Sequence, residues 1–271
     1  MSATTSSDPS LAGAFTRARR EGRAALVPYV TAGHPRREHG LDVLRALAEE
    51  GADVIELGIP FSDPLADGPV IQRSTWEAIE QGVDLPWTLE LLAAFRREHA
   101  TPVVLFTYLN PVLHHGAGRF LADAHAAGAQ GVVLTDLPVG ADPALEGLFA
   151  ASPLDLVRFV APTTRPERVR RIAAAARGFL YYVSRTGVTG ARVELQAGLE
   201  REIAAVRAVT DVPVAVGFGI STPEQAATVA RVADGVVVGS ALVETLRTGG
   251  LDAGRALVRS LAAAVAGARR R

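Results

Sequence analysis

Three carboxylates stand among apolar residues, glycine and proline in IELGIPFSDPLADGP, residues 55–69: Glu56, Asp63 and Asp67. Glu56 lies near the C-terminal end of an apolar run with strand character. There a side chain can enter the mouth of a sheet, where burial raises a carboxylate's pKa and lets it act as acid and base near neutral pH. The residues alone leave a second reading open, a buried glutamate paired with an arginine. Asp67, flanked by Ala66 and Gly68, stands in a loop, where a carboxylate stays partly solvated and ionised until the loop closes. Two carboxylates in contrasting surroundings offer a division of labour between acid and base. Asp63, in SDP, reads as a turn former or as a group facing a partner.

Anion-binding parts come later in the chain. GFGIS (217–221) and VGSALVETL follow the last two of eight apolar runs, and they set Gly219 and then Gly239 and Ser240 before helical patterns. Glycine lets backbone N–H groups approach an anion, and a helix N-terminus favours negative charge. RTGVTG, with Gly187 and Gly190, adds a third glycine-rich edge. Three such stretches in these loops point to phosphate. Tyr29, Phe106, Tyr108, Tyr181 and Phe218 fall at or near the ends of apolar runs, which suits ordinary core or a pocket for a flat ligand. His114 and His115 are adjacent, so their side chains diverge, and no metal site is expected there. Arg185 reads equally as an anion contact or a loop anchor.

Absences narrow the chemistry. The 271 residues contain 28 arginines, no lysine and no cysteine, which removes Schiff-base nucleophiles, covalently held pyridoxal phosphate, thiolate chemistry and disulfides. A net charge of −1 gives no field that would draw nucleic acid or an anionic membrane. No stretch approaches the ~18 uninterrupted apolar residues of a membrane span. The expected setting is a reducing cytoplasm.

The elements that must position these residues are regular. Eight short runs rich in Val, Ile and Leu recur: ALVPYV, ADVIEL, PVVLFT, GVVLT, LVRFV, GFLYYV, PVAVG and DGVVV. Each precedes a stretch with helical periodicity, such as LDVLRALAEE or PEQAATVARVA. Strands buried on both faces and separated by helices predict a parallel sheet, and eight such units predict one α/β domain, a closed (β/α)8 TIM barrel. An open doubly wound sheet is the runner-up; its glycine-rich turn is missing from VTAGHPRR. Residues 1–10 are expected to be disordered, with the barrel over 11–271 and an additional N-terminal helix, LAGAFTRARREG, under its floor. The second loop is expected to run from residue 58 into the high seventies, and a loop of about ten residues is expected after the sixth strand.

ELGIPFSDPLADGP, with YVTAGHP, LTDLP, YYVSRTGVTG, GFGIS and VVGSALV, resembles the tryptophan synthase alpha subunit family, in order from about residue 15 to the C-terminus. The first motif is specific; GFGIS or VVGSA alone is not. The resemblance implies a (β/α)8 barrel that cleaves indole-3-glycerol phosphate to indole and glyceraldehyde 3-phosphate. It also implies an α2β2 complex in which pyridoxal phosphate belongs to the partner beta subunit, with no cofactor and no metal in this chain. By the same resemblance Glu56 and Asp67 are catalytic, Tyr181 is at the active site, and Thr189 is a lid threonine that closes on Asp67. Gly190, Gly219, Gly239 and Ser240 would contact phosphate. Tyr29, Phe106, Tyr108, Val133, Thr135, Val160 and Phe218 would line the indole pocket, and Asp63 and Pro64 would meet the beta subunit. Thr135 departs from the family's commoner alanine or proline and makes that wall more polar. The alternatives are a stand-alone indole-3-glycerol-phosphate lyase on the same fold and a non-catalytic activating barrel subunit.

Overall fold

The computed structural model describes residues 9–184, 192–217 and 219–268, with only the backbone for 192–197. Eight strands, β1 (Ala25–Thr31), β2 (Ile55–Gly58), β3 (Val103–Thr107), β4 (Gly131–Leu134), β5 (Asp155–Val160), β6 (Leu180–Val183), β7 (Val214–Gly217) and β8 (Gly235–Val238), pair in parallel in sequence order. β8 pairs back onto β1, from Ala25 opposite Gly235 to Pro28 opposite Val238, which closes the barrel and excludes the open sheet. The helices are α1 (Leu11–Arg20), α2 (Gly40–Glu49), α3 (Pro69–Glu80), α4 (Leu85–Arg96), α5 (Leu109–His115), α6 (Ala117–Ala126), α7 (Pro143–Ala151), α8 (Pro166–Ala175), α9 (Arg192–Arg207), α10 (Pro223–Ala230) and α11 (Ser240–Gly267).

The strands read as unbroken apolar runs because each is buried on both faces, and the two faces feed different layers. Outward residues such as Leu26, Val30, Ile55, Leu57 and Leu105 pack under the helices. Inward residues such as Val27, Val54, Val104, Val133, Val157 and Val237 fill the barrel. By the two-residue alternation, Glu56 shares the inward face with Val54, one pleat nearer the C-terminal mouth.

The floor is closed by α1. Ser10 caps it by accepting from the Gly13 N–H at 2.9 Å, and Leu11 and Phe15 insert among the inward residues, with the Phe15 and Phe179 rings 5.3 Å apart. Burying such side chains contributes about 1.5–3 kcal/mol each. The carboxylates at this end are met by arginines. Asp53 accepts from Arg23 at 2.6 and 2.8 Å and from the Leu26 N–H at 2.8 Å. Asp234 lies 2.9 Å from Arg207 and 3.4 Å from Arg19, and it accepts from the Val214 N–H at 3.0 Å.

The second loop is shorter than the sequence suggests. α3 begins at Pro69, not in the high seventies, because proline at the first helical position lacks only an N–H that the helix does not need, and Gly68 enters in extended conformation. PVIQRSTWEAIE mixes β-branched and polar residues, which weakens its helical period. A second helix, α4, follows at once; Asp84 caps it by accepting from the Trp87 N–H at 2.8 Å. Residues 1–8, part of the N-terminal stretch read as disordered, and residues 185–191, where a loop is expected between β6 and α9, lie outside the described residues.

Candidate active site

Glu56 is fully buried at the mouth end of β2, in register with Tyr29 on β1 and Val104 on β3. Among the described residues neither carboxylate oxygen has a hydrogen-bond partner, and no arginine among them forms the buried ion pair. A charge left there without a partner is costly, and burial pushes the carboxyl up to about 8. At neutral pH Glu56 therefore holds its proton and is poised to give it away.

Asp67 is held differently. Its N–H donates to the Pro64 carbonyl at 3.0 Å, and its own carbonyl accepts from Gln72 on α3 at 2.9 Å. The Ala66 N–H donates to the Tyr108 hydroxyl at 2.9 Å, and that hydroxyl is close enough to the Asp67 carboxylate to favour its charged form. Burial pushes Asp67 up to about 6, against the opposing effect of the Tyr108 hydroxyl. The group is more deeply placed than its loop position suggests, yet mostly ionised at neutral pH. Tyr108, expected on the indole wall, stands behind Asp67 as its support, and its ring packs 5.3 Å from Phe61.

Both carboxylates open onto one cavity of about 560 Å³. Four rings follow one another around it: Tyr29 and Phe106 are 5.4 Å apart, Phe106 and Phe159 6.2 Å, and Phe159 and Tyr181 5.1 Å. Two glycines make room for the phenols, since a Cβ on Gly58 would collide with the Tyr29 hydroxyl and one on Gly217 with that of Tyr181. Thr135 completes the wall and donates to the Thr107 carbonyl at 3.4 Å.

Val160 is a correction. It faces outward into the helix layer, and Phe159, one residue earlier, takes the pocket position. A shift of one residue along a strand exchanges its faces. Counting alternate residues from inward Val157 would have found Phe159. Val133 lies in the packed barrel interior with the ring of Phe106 against that layer.

The opposite edge of the cavity is formed by Gly219, Ser221, Gly239 and Ser240. Gly219 has φ 76°, which favours glycine, and Ser240 opens α11. The first N–H groups of a helix have no carbonyl partners within it, so this edge suits an anion. Thus Glu56, Asp67, Tyr29, Phe106, Thr135, Tyr181, Gly219, Gly239 and Ser240 meet at one cavity. Phe218, Arg185, Gly187, Thr189 and Gly190 lie outside the described residues.

Asp63 and Pro64 sit at the outer turn of the same loop, where Asp63 accepts from the Ser62 hydroxyl at 2.5 Å. Leu65 beside them is 91% exposed, a feature sequence reading passed over because an isolated leucine carries no signal of exposure. His115 bonds Asp123 at 2.7 Å, and among the described residues no group of three or more His, Asp or Glu could hold a metal ion. No helix among the described residues is long and apolar enough to cross a membrane.

A neutral buried acid, an ionised aspartate, a ring-lined slot and an anion-accepting edge can together protonate a flat, electron-rich ring, stabilise positive charge on it and hold a phosphate tail. Comparisons with known proteins agree with that chemistry. The family model described as tryptophan synthase alpha chain matches residues 15–267. The tryptophan synthase alpha chain of Acidiphilium cryptum is 48% identical over 272 aligned positions, covering 96% of this chain and 98% of that one. That of Chloroflexus aggregans is 50% identical over 233, covering 86% and 87%. Among solved structures, Mycobacterium tuberculosis tryptophan synthase superposes with TM-score 0.86 at 41% identity, covering 94% of this chain and 97% of the matched one. The alpha subunit from Legionella pneumophila does so with TM-score 0.87 at 37% identity, covering 94% and 97%.

Proposed function

The chain belongs to the tryptophan synthase alpha chain family and catalyses that family's lyase reaction, cleavage of indole-3-glycerol phosphate to indole and glyceraldehyde 3-phosphate; from that premise we propose how its residues divide the work. Glu56, protonated at rest, gives its proton to indole C3. Positive charge then develops at the ring nitrogen, and ionised Asp67 stabilises it by accepting from the ring N–H. The bond from C3 to the glycerol chain breaks with its electrons returning to the ring. The hydroxyl on the departing carbon becomes a carbonyl and loses its proton to Glu56, now a carboxylate, which restores the resting acid. Neither lysine nor metal enters this cycle.

Phe106, Phe159, Thr135 and Tyr181 hold the indole, and Gly219, Gly239 and Ser240 hold the phosphate. Gly190, Thr189 and Phe218 are assigned to the phosphate edge, the lid and the indole wall on the strength of the motif match alone. Residues 11–271 are taken as one barrel domain. The partner is a tryptophan synthase beta subunit in an α2β2 assembly, with pyridoxal phosphate in the beta subunit and none here. Asp63, Pro64 and exposed Leu65 offer the contact surface. A cysteine-free chain suits the cytoplasm.

The observation that carries the assignment of roles is the fully buried, unpartnered Glu56 on the same cavity as Asp67. Indole release from indole-3-glycerol phosphate, measured with and without a beta subunit, tests the whole. Slow release that rises strongly with the partner supports the complex; fast release by the chain alone favours an independent lyase, and none in either case overturns the catalytic reading.

A further inference from the structure

Beside Glu56 lies a chain of three hydroxyls. The Tyr29 oxygen is 3.3 Å from Thr31 Oγ1, Thr31 Oγ1 is 2.7 Å from Ser74 Oγ, and Ser74 Oγ donates to the Ile71 carbonyl at 2.9 Å. Each hydroxyl has one proton to give. With the Ser74 proton on Ile71, Ser74 accepts from Thr31, and Thr31 in turn accepts from Tyr29. Only in this direction are all three protons bonded. Tyr29, Thr31 and Ser74 are all buried, so an unbonded proton would be costly. Burial also holds the Tyr29 phenol far above its ordinary pKa, so it keeps its proton. The Tyr29 oxygen therefore meets a ligand as an acceptor only.

Its position gives that acceptor a purpose. Tyr29 is in register with Glu56 on one side, and on the other a Cβ on Gly239 would lie 3.6 Å from the Tyr29 side chain. The side chain thus runs from the phosphate edge, where its Cβ lies, to Gly58 on the strand of Glu56, where its hydroxyl lies, along the line that the glycerol chain of a substrate spanning the two must follow. The hydroxyl next to the ring is engaged by Glu56 during cleavage. The middle hydroxyl, on the carbon next to the phosphate-bearing one, remains to be recognised.

We propose that Tyr29 accepts a hydrogen bond from that middle hydroxyl and that Thr31 and Ser74, by drawing the phenol proton away from the cavity, make Tyr29 a specificity-determining residue. Such a site favours a hydroxyl donor there over a hydrogen atom, and it disfavours a carbonyl, which would set one acceptor against another. Gly58 belongs to the device, because any Cβ at that position would displace the phenol.

The inference rests on the assignment of Gly239 and Ser240 to phosphate and of Glu56 to the acid. The test compares kcat/KM for the natural substrate and for its analogue lacking only the middle hydroxyl. Affinity for indole-propyl phosphate, which has neither hydroxyl, reports separately on the ring pocket and the phosphate edge. Wild type should prefer the natural substrate by about 3- to 10-fold, the worth of one neutral hydrogen bond. Tyr29→Phe should abolish the preference while leaving indole-propyl phosphate affinity within about twofold. Thr31→Val keeps the phenol but frees its proton, and it should reduce the preference. A preference undiminished in either variant overturns the inference alone. Failure of wild type to bind indole-propyl phosphate overturns the pocket assignment and the inference with it.

Discussion

Asp53 and Glu56 lie three residues apart in the sequence, both buried, and are treated in opposite ways. At the floor Asp53 has a bidentate arginine and a backbone N–H, and Asp234 nearby has two arginines and a backbone N–H. At the mouth, among the described residues, Glu56 has no partner and Asp67 has a tyrosine hydroxyl. Arginine is plentiful in the chain, yet none of those described stands beside Glu56. A carboxylate with a cation stays charged and ties elements together; one without a cation stays neutral and can move a proton. The same fold uses the first arrangement for cohesion and the second for chemistry.

Breaking the mouth should cost the most activity. Glu56→Gln should lower turnover by about 10²-fold or more, the scale of a lost acid and base. It should also stabilise the protein. Folding raises the Glu56 pKa from 4.5 to about 8, so across that window the folded state holds a proton that the unfolded state has lost, and stability falls as pH rises. Glutamine does not titrate, so the variant should gain on wild type progressively from pH 4.5 to 8, on the order of a few kcal/mol at the upper end. Urea unfolding at pH 5 and pH 8 measures this. An unchanged difference between the two pH values would mean that Glu56 is solvated or paired. Asp67→Asn should lower kcat by about 10²-fold with the fold intact, and a change confined to KM would remove it from the chemistry.

The floor should answer in the other currency. Asp53→Asn leaves Arg23 and the Leu26 N–H poorly matched, and it should cost about 1–3 kcal/mol of unfolding free energy. The folded fraction should keep its kcat within about twofold. A variant that loses turnover while keeping its denaturation midpoint would erase the contrast between the two ends.

How much of this contrast the sequence discloses depends on range. The eight strands are legible because burial on both faces leaves unbroken Val and Ile runs, and Glu56 stands out as the one charge near the end of such a run. The glycine-rich edges are legible because an approaching anion demands small residues in fixed loops. What stays hidden depends on contacts between distant residues or on facing direction. Tyr108 supports Asp67 from 41 positions away, and Arg23 meets Asp53 from 30. The Phe159 and Val160 exchange turns on a single pleat, and both residues are large and apolar, so composition does not separate them. α3 starts early because Pro69 and Gly68 form a helix entry that resembles a loop.

The smallest effect separates the two mouth carboxylates from each other. Activity requires Asp67 without its proton and Glu56 with it, so kcat/KM should rise through about 6, level off and fall through about 8. The substrate's phosphate also titrates near ~6, so the acidic limb of wild type alone does not identify Asp67. Tyr108→Phe resolves the ambiguity. Its hydroxyl holds Asp67 down and has no part in the shift of Glu56, which comes from burial alone. Removing it should move only the acidic limb upward, by less than about one unit, and lower the plateau by no more than about tenfold, the worth of one hydrogen bond to a charged group. The phosphate is the same in both proteins and cancels. A limb that stays in place would assign it to the substrate, and movement of the basic limb would show that the two carboxylates titrate as a coupled pair.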